Sequence, residues 1–455
     1  MKKKLLSLTL AAAMCLGLLA GCGDTGSTES PSQSTPPSES SSPAPSQSPS
    51  ESTAPSESQP EGLTGTLKVS GWDMEVSGSL FRAVIDAFTA ANPGVTIEAI
   101  DIPAADYGTK LSVMLNGGSD VDVFWVKDAD TIYPIAGRGQ MSDMNSYIQR
   151  DGLDLGIYNG QAEDFNIDGK QIGMPFRTDY YTLFYNKDIF DECGVEYPSN
   201  DMTWTEFEEL AKQVTTGEGV DKKYGAYIHT WQACVENWGV QDGQHTIMDT
   251  DYSFFKPYYE MVLRMQQEGT IMDYGTVKTS NLTYTGVFSD GSVAMLPMGT
   301  WLAATMIEKI KSGESSVNWG IATLPHPDNV EAGYVVGATT PISINSASPN
   351  QDLAWEFVKF VCGAEGAAAV AGLGGVPALL DDATLKALTS VDGYPEGALE
   401  ALQVKNMVRD RPIADKVSEV NQMLGEVHSL IMLGEVSVDE GLADMAEQSK
   451  TIQGK

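Results

Sequence analysis

Indoles and carboxylates recur side by side in this chain. Trp72-Asp73 closes one apolar segment, and Trp125 stands three residues before Asp128. Arg177-Thr178-Asp179-Tyr180 forms a polar and aromatic cluster between apolar flanks, and Trp231, Trp238 and Trp301 follow. An aromatic face packs against the weakly positive C–H bonds of a guest. Carboxylate and guanidinium groups pair with its donors and acceptors, often two at a time. Such residues grip a small polar molecule; they do not by themselves break a bond in it. Groups that would are scarce. The four His (His229, His245, His326 and His428) fall in no HExxH pattern, and no GxSxG elbow occurs. Cys193, Cys234 and Cys362 are far apart with no CxxC spacing, so they read as small buried hydrophobes, with no metal or cofactor expected. Gly372-Leu373-Gly374-Gly375 lacks the strand and helix of a dinucleotide site and reads as a loop.

Positioning these residues falls to alternating strands and helices. Thr66–Ser70 reads as a strand, and Leu80, Phe81, Val84, Ile85 and Phe88 share one face of a helix that Asn92-Pro93-Gly94 stops. Val95–Ile100 is a second strand, Leu111–Leu115 belongs to another helix, and Asp122–Val126 is a third strand. This alternation predicts an α/β fold with a parallel sheet and helices on both faces. Ligands of such sheets gather outside the carboxyl ends of the strands, where Trp72, Asp73, Trp125 and Asp128 fall. Further on, Gly169-Lys170 reads as a hairpin turn, Tyr181–Tyr185 as a strand, and Thr203 or Thr205 as a helix cap with Glu206 or Glu208 three residues on. Trp301 stands at a strand end, with a helix over Leu302–Ile310.

The amino-terminal region is different. Lys2, Lys3 and Lys4 precede an apolar run over residues 5–20, shorter than the ~20 residues of a membrane span. This is an export signal. Its end, Leu19-Ala20-Gly21-Cys22, resembles a bacterial lipobox, which implies cleavage after residue 21 and a lipid on Cys22. Residues 23–62 are almost all Ser, Pro, Glu, Gln, Thr, Gly and Ala, with no aromatic residue, Lys or Arg. That composition predicts a disordered tether, about 35 Å from end to end on average if fully flexible. The whole chain carries 62 acidic and 28 basic residues, a formal net charge of −34. Such a surface repels nucleic acid and anionic lipid, leaving the lipid anchor as the expected membrane contact.

Six motifs then carry a family resemblance. Phe88–Val95 (FTAANPGV) is similar to F-x-x-x-N-P-x-I, Ser119–Val126 to the P-D-V strand, and Gly173–Asp188 to Y-G-x-P…L-x-Y-N-K-D. Met202–Ala211 is similar to P-x-T-W-x-E-L, Phe288–Trp301 to F-x-x-G-x-A-A-M-x-x-x-G-x-W, and Ile344–Val361 to the helix pattern S-K-N-K-E-L-A-W-E-F-L-K-F-L. In this order they resemble the extracellular solute-binding proteins of ABC importers, in the sugar-binding group that includes maltose-binding protein. The resemblance implies a two-lobed periplasmic-binding-protein-like fold with a hinge and a ligand cleft between the lobes. Lobe one would hold 63–175 and 326–362, and lobe two 176–325 and 363–455, with crossings near 176–180, 321–325 and 363–371.

The resemblance further implies a monomer with no enzymatic activity that captures a mono- or oligosaccharide and delivers it to permease subunits at the outer face of the cell membrane. Its ligand set would be Trp72, Asp73, Trp125, Asp128, Arg177, Asp179, Tyr180, Trp231, Trp238 and Trp301. Trp125, Asp128, Asp179 and Trp301 fall on family ligand positions, but Ala129 stands where the maltose-binding member has Arg, so maltodextrin is not implied. Bland roles stay open. Trp125 and Trp231 read equally as core anchors, Asp128 and Asp130 as helix caps, and Arg177 with Asp179 as an ion pair in the hinge. A non-sugar solute (phosphorylated polyol, peptide or osmolyte) and a secreted glycosidase with two carboxylates across a cleft are the alternatives.

Overall fold

A computed structural model describes residues 62–118 and 120–455. The export signal, Cys22 and all of the tether but Gly62 lie outside the described residues.

Eleven strands occur among the described residues: β1 (Gly65–Trp72), β2 (Val95–Ile102), β3 (Val123–Trp125), the hairpin β4 (Asn166–Ile167) and β5 (Lys170–Gln171), β6 (Met174–Asn186), β7 (Tyr224–Ala226), β8 (Val293–Gly299), β9 (Trp319–Ala322), β10 (Tyr334–Ile344) and β11 (Asn406–Arg409). Nine form one curled sheet in the order β2-β1-β3-β10-β6-β8-β7, with β9 on β6 and β11 on β10. The expected parallel sheet is therefore only partly right. β1 pairs with β2 and β3 in parallel, but β10 enters antiparallel between β3 and β6. β10 is buried on both faces, so it lacks the alternation of a half-exposed antiparallel strand and reads like a parallel one.

Local chemistry sets the ends of the elements. The helix Leu80–Ala91 buries the five apolar residues of its predicted stripe and is capped by the Ser79 hydroxyl. The helix Trp204–Gln213 starts at a capping box in which Thr203 accepts from the Glu206 N–H and the Glu206 carboxylate accepts from the Thr203 N–H. Asp168 and Gly169, both at positive φ, make the tight turn between β4 and β5.

Two apolar cores sit under the one sheet, giving the two-lobed α/β fold. One gathers residues between Leu67 and Phe176, then Ile342–Cys362, Val370 and Ala378. The other gathers Tyr180 to Val336 and most of the chain from Ala371 to Met445. β6 and β10 run through both. Phe176 lies in the first core and Tyr180 in the second, while Val336 lies in the second and Ile342 in the first. The second passage between cores thus falls within β10, later than residues 321–325. Ile321, Ala322 and Leu324 pack in the second core. At the crossing the two strands approach closely: a Cβ on Gly337 would lie 2.3 Å from the Asp179 carbonyl oxygen. Their register slips between Thr340 and Pro341, where proline has no N–H to offer the ladder. A third segment lies against β6 on its other side, with the Thr178 N–H donating to Val376 O and the Ala378 N–H to Phe176 O.

Candidate ligand site at the crossing between the cores

The crossing places charge where two aromatic groups meet. Arg177 and Asp179 lie two apart on β6, so their side chains share a face. Nε of Arg177 is 3.1 Å from Oδ2 of Asp179, and both side chains are largely covered. The approach lacks hydrogen-bond alignment, leaving Arg177 Nε a buried donor without a partner. On the first-core side the guanidinium lies over the rings of Trp72 and Phe81, 5.7 and 5.5 Å from their centroids. On the second-core side the Thr300 hydroxyl donates to Asp179 Oδ1 at 3.3 Å. Burial raises the Asp179 carboxyl above its usual range, and Arg177 and Thr300 pull against that rise.

Thr300 leads into the aromatic side of the site. Trp301 begins the helix Trp301–Ser312 at the end of β8. Its ring folds back over the backbone of Gly299, where a Cβ would lie 1.9 Å from it. Only glycine leaves room for that placement. Trp301 packs edge-on to Tyr181, 5.7 Å between centroids, and 6.5 Å from Trp231. His229 and Tyr284 complete the group, each within 5.5 Å of Trp231 or of one another. Trp231 is 40% exposed, unusually open for an indole. Burial lowers the His229 pKa to about 4, so its imidazole is neutral near pH 7 and can both donate and accept. Burial raises the pKa of Tyr284. The aromatic group adjoins the ion pair through Thr300, which bonds to Asp179 and directly precedes Trp301.

The expected residues divide sharply. Arg177, Asp179, Trp301 and Trp231 converge as described, with Trp72 beneath the guanidinium. Trp125 does not reach the cleft. It is fully buried among Phe81, Phe176 and Phe357, so nothing can stack on its faces. Trp238 is likewise core, stacked on Trp204 at 4.0 Å. Tyr180 is buried and its hydroxyl donates to Leu402 O. All three are aromatics on elements that pass near the cleft, and sequence position cannot say which way a ring turns. Asp73 adopts a positive φ and accepts from the Ala104 N–H, so it closes the loop after β1. Asp128 pairs with Lys127 on a half-exposed rim. It lines a groove of about 170 Å³ with Arg138 and, from the far lobe, Ser418. His229 and Tyr284 escaped the sequence reading, since neither sits in a motif. Trp204, Trp319 and Trp355 are all buried and serve the cores.

A sheet shared by two cores, crossed by paired strands with an aromatic and charged site at the crossing, is the architecture expected of a binding protein that closes on its guest. The family model described as bacterial extracellular solute-binding protein matches residues 71–368. This chain belongs to that family. A sugar transporter from Rhizobium etli, solved in an open conformation, superposes on the solute-binding protein with a TM-score of 0.75 at 40% identity, covering 85% of this chain and 99% of that one. An ABC substrate-binding protein from Listeria monocytogenes in complex with cycloalternan shares the fold, with a TM-score of 0.74 at 22% identity over 86% of this chain and 100% of that one. The erythritol/L-threitol-binding protein of Mycolicibacterium smegmatis is 22% identical over 386 residues, 78% of this chain and 75% of that protein. Family membership places the solute-binding protein outside the cytoplasm and makes it a binding component of transport. Among the described residues no helix is long and apolar enough to cross a membrane.

Proposed function

We propose that this solute-binding protein captures a carbohydrate between its lobes and hands it to the permease of an ABC importer, without chemistry on the sugar. One observation carries the reading. Partly open indoles of Trp231 and Trp301 stand beside the Arg177–Asp179 pair, where both cores meet. A pyranose or polyol offers the same two kinds of surface, an apolar C–H face and a ring of hydroxyls. A guest touching both lobes binds the closed arrangement better than the open one and so draws the lobes together. The names of the relatives support a sugar or polyol guest. A phosphorylated guest fits less well, because Arg177 is paired with Asp179 and Arg411 is buried and bonded within the protein. Lobe one would comprise the segments of the first core and lobe two those of the second. A lipid on Cys22 would hold the protein, as a monomer, at the outer face of the membrane.

A thermal-shift screen of mono- and oligosaccharides tests the ligand, since a guest that binds only the folded state raises the melting temperature. No shift with any sugar or polyol would defeat the reading. With the ligand in hand, Trp301→Ala should weaken binding at least about tenfold in calorimetry, ~1.4 kcal/mol. Incubation with the same oligosaccharides should leave them uncut; cleavage would establish a glycosidase. Cys22→Ala should release the protein into the medium or leave it unprocessed.

A further inference from the structure

Beside the ligand site, one residue along the chain from Trp231, a second set of polar contacts joins the two cores. Asp130 lies in the short turn Ala129–Thr131, whose neighbours Val126 and Ile132 pack in the first core. Asn421 lies on the helix Val417–Met432, which packs in the second. The Asn421 side-chain amide donates to Asp130 Oδ2 at 3.0 Å. An amide can present either end, so its orientation must be set from behind. Here the setting is done by a buried cation. Arg411 Nε donates to Asn421 Oδ1 at 2.6 Å, which turns the amide nitrogen toward lobe one. Gln232 donates to the same oxygen at 3.1 Å.

Arg411 is itself locked. One of its terminal nitrogens donates to Asn237 Oδ1 at 3.0 Å and to Asp410 O at 2.7 Å. The other lies 3.8 Å from the carboxylate of Glu236, which is completely buried. Tyr259 donates to the far oxygen of Glu236 at 3.1 Å. A rigid polar column thus runs from the interior of lobe two to a single contact on lobe one. By contrast, the tie from Ser77 to Glu308 at 2.7 Å is exposed and has no such backing, and an ion pair joins Arg409 to Asp164 elsewhere between the cores.

We propose that Asp130 and Asn421 form a clasp between the lobes, and that Arg411 is the positioning residue that holds Asn421 ready for it. The clasp contributes to closure whatever guest fills the cleft. It rests on the two-lobed closure invoked above but not on the identity of the guest. The Arg411 guanidinium faces Glu236, Asn237, Asp410 and Asn421, with Asp128 and Asp130 beyond, so its charge is spent inside the protein rather than on a ligand.

The test reads lobe separation directly. Spin labels at Val113→Cys and Val220→Cys, exposed positions on lobe one and lobe two, report the distance in the full chain with Cys193→Ser as background and no sugar present. Asp130→Ala and Asn421→Leu should each shift the closed-to-open ratio toward open by about fivefold, and the double variant no further than either alone. Arg411→Ala should mimic them, but it strands the buried Glu236 and can unfold the protein; Asn421→Leu therefore decides. Additive shifts, or an unchanged distance distribution in the two single variants, would overturn the clasp. Because no sugar is added, that result is separate from failure of the carbohydrate reading, which the thermal-shift screen reports.

Discussion

The two lobes solve the same packing problem with different material. The first core is centred on Trp125 and closed by aromatic neighbours, Phe81, Phe176 and Phe357, without a buried ion pair at its heart. The second buries a carboxylate, a guanidinium, a phenol and an imidazole in a row: Arg411, Glu236, Tyr259 and His428. It also carries the open aromatic group of the ligand site. Lobe one is built mainly on aromatic and aliphatic contact, with buried polar groups such as Tyr107 and Asp122 bonded to nearby backbone and hydroxyl groups. Lobe two spends burial energy on polar groups, which offset their desolvation only by pairing and bonding with one another. The contrast teaches that indoles of similar appearance in the sequence serve opposite ends in the two lobes. Trp125 is a keystone, whereas Trp301 is the surface proposed for a guest.

The sharpest way to break this contrast is at Trp125. Trp125→Ala should destabilise the protein by ~3–5 kcal/mol in urea unfolding, as expected for emptying a core aromatic site. A stable variant that has lost sugar affinity would instead return Trp125 to the cleft. Gly299→Ala comes next. Its new methyl group must displace the Trp301 ring, so ligand affinity should fall at least about tenfold although residue 299 has no side chain to touch the guest. Unchanged affinity by calorimetry would mean that the ring does not need its seat on the strand.

Glu236 sharpens the other half of the comparison. Burial raises its pKa from 4.5 to about 7. Between those values the folded protein holds a proton that the unfolded chain releases, so this group's contribution is complete below pH 4.5 and is lost as pH rises through about 7. His229 and His428 act oppositely. Burial depresses them to about 4 and about 3, so their contribution is present above pH 6.5 and is lost as pH falls through those lower values. Glu236→Gln should therefore raise the melting temperature relative to the parent more at pH 8 than at pH 5. An equal change at both would show that Glu236 stays protonated or is charged at no cost. The smallest effect is expected at the rim. Asp128→Asn removes the exposed contact with Lys127 and should move stability by less than about 0.5 kcal/mol in the same urea assay.

Much of this frame was legible in the sequence because it rests on local rules. The stripe of Leu80 to Phe88, the Thr203–Glu206 box, the Gly169 turn and the strand before Trp301 all declare themselves within a few residues. Ordered motifs extended that to a family and its two lobes. What stayed hidden depends on partners far away in the chain. β10 inserts antiparallel after more than two hundred residues, and no local pattern announces it. The direction in which Trp125, Tyr180 and Trp238 turn is decided by helices and strands that arrive later. The same is true of His229 and Tyr284, which become part of a site only when Trp231 and Trp301 are folded beside them.

The interleaving of the cores also has a consequence in time. The first core draws on residues up to Phe176 and then waits for Ile342, Trp355 and Ala378. A chain emerging from the ribosome must therefore produce the whole stretch from Tyr180 to Val336 before the lobe begun first can be finished. Early segments such as Leu67 and Val69 have no completed core to join in the meantime. In a protein that works outside the cytoplasm, such a delay keeps the nascent body from setting early into a bulky shape.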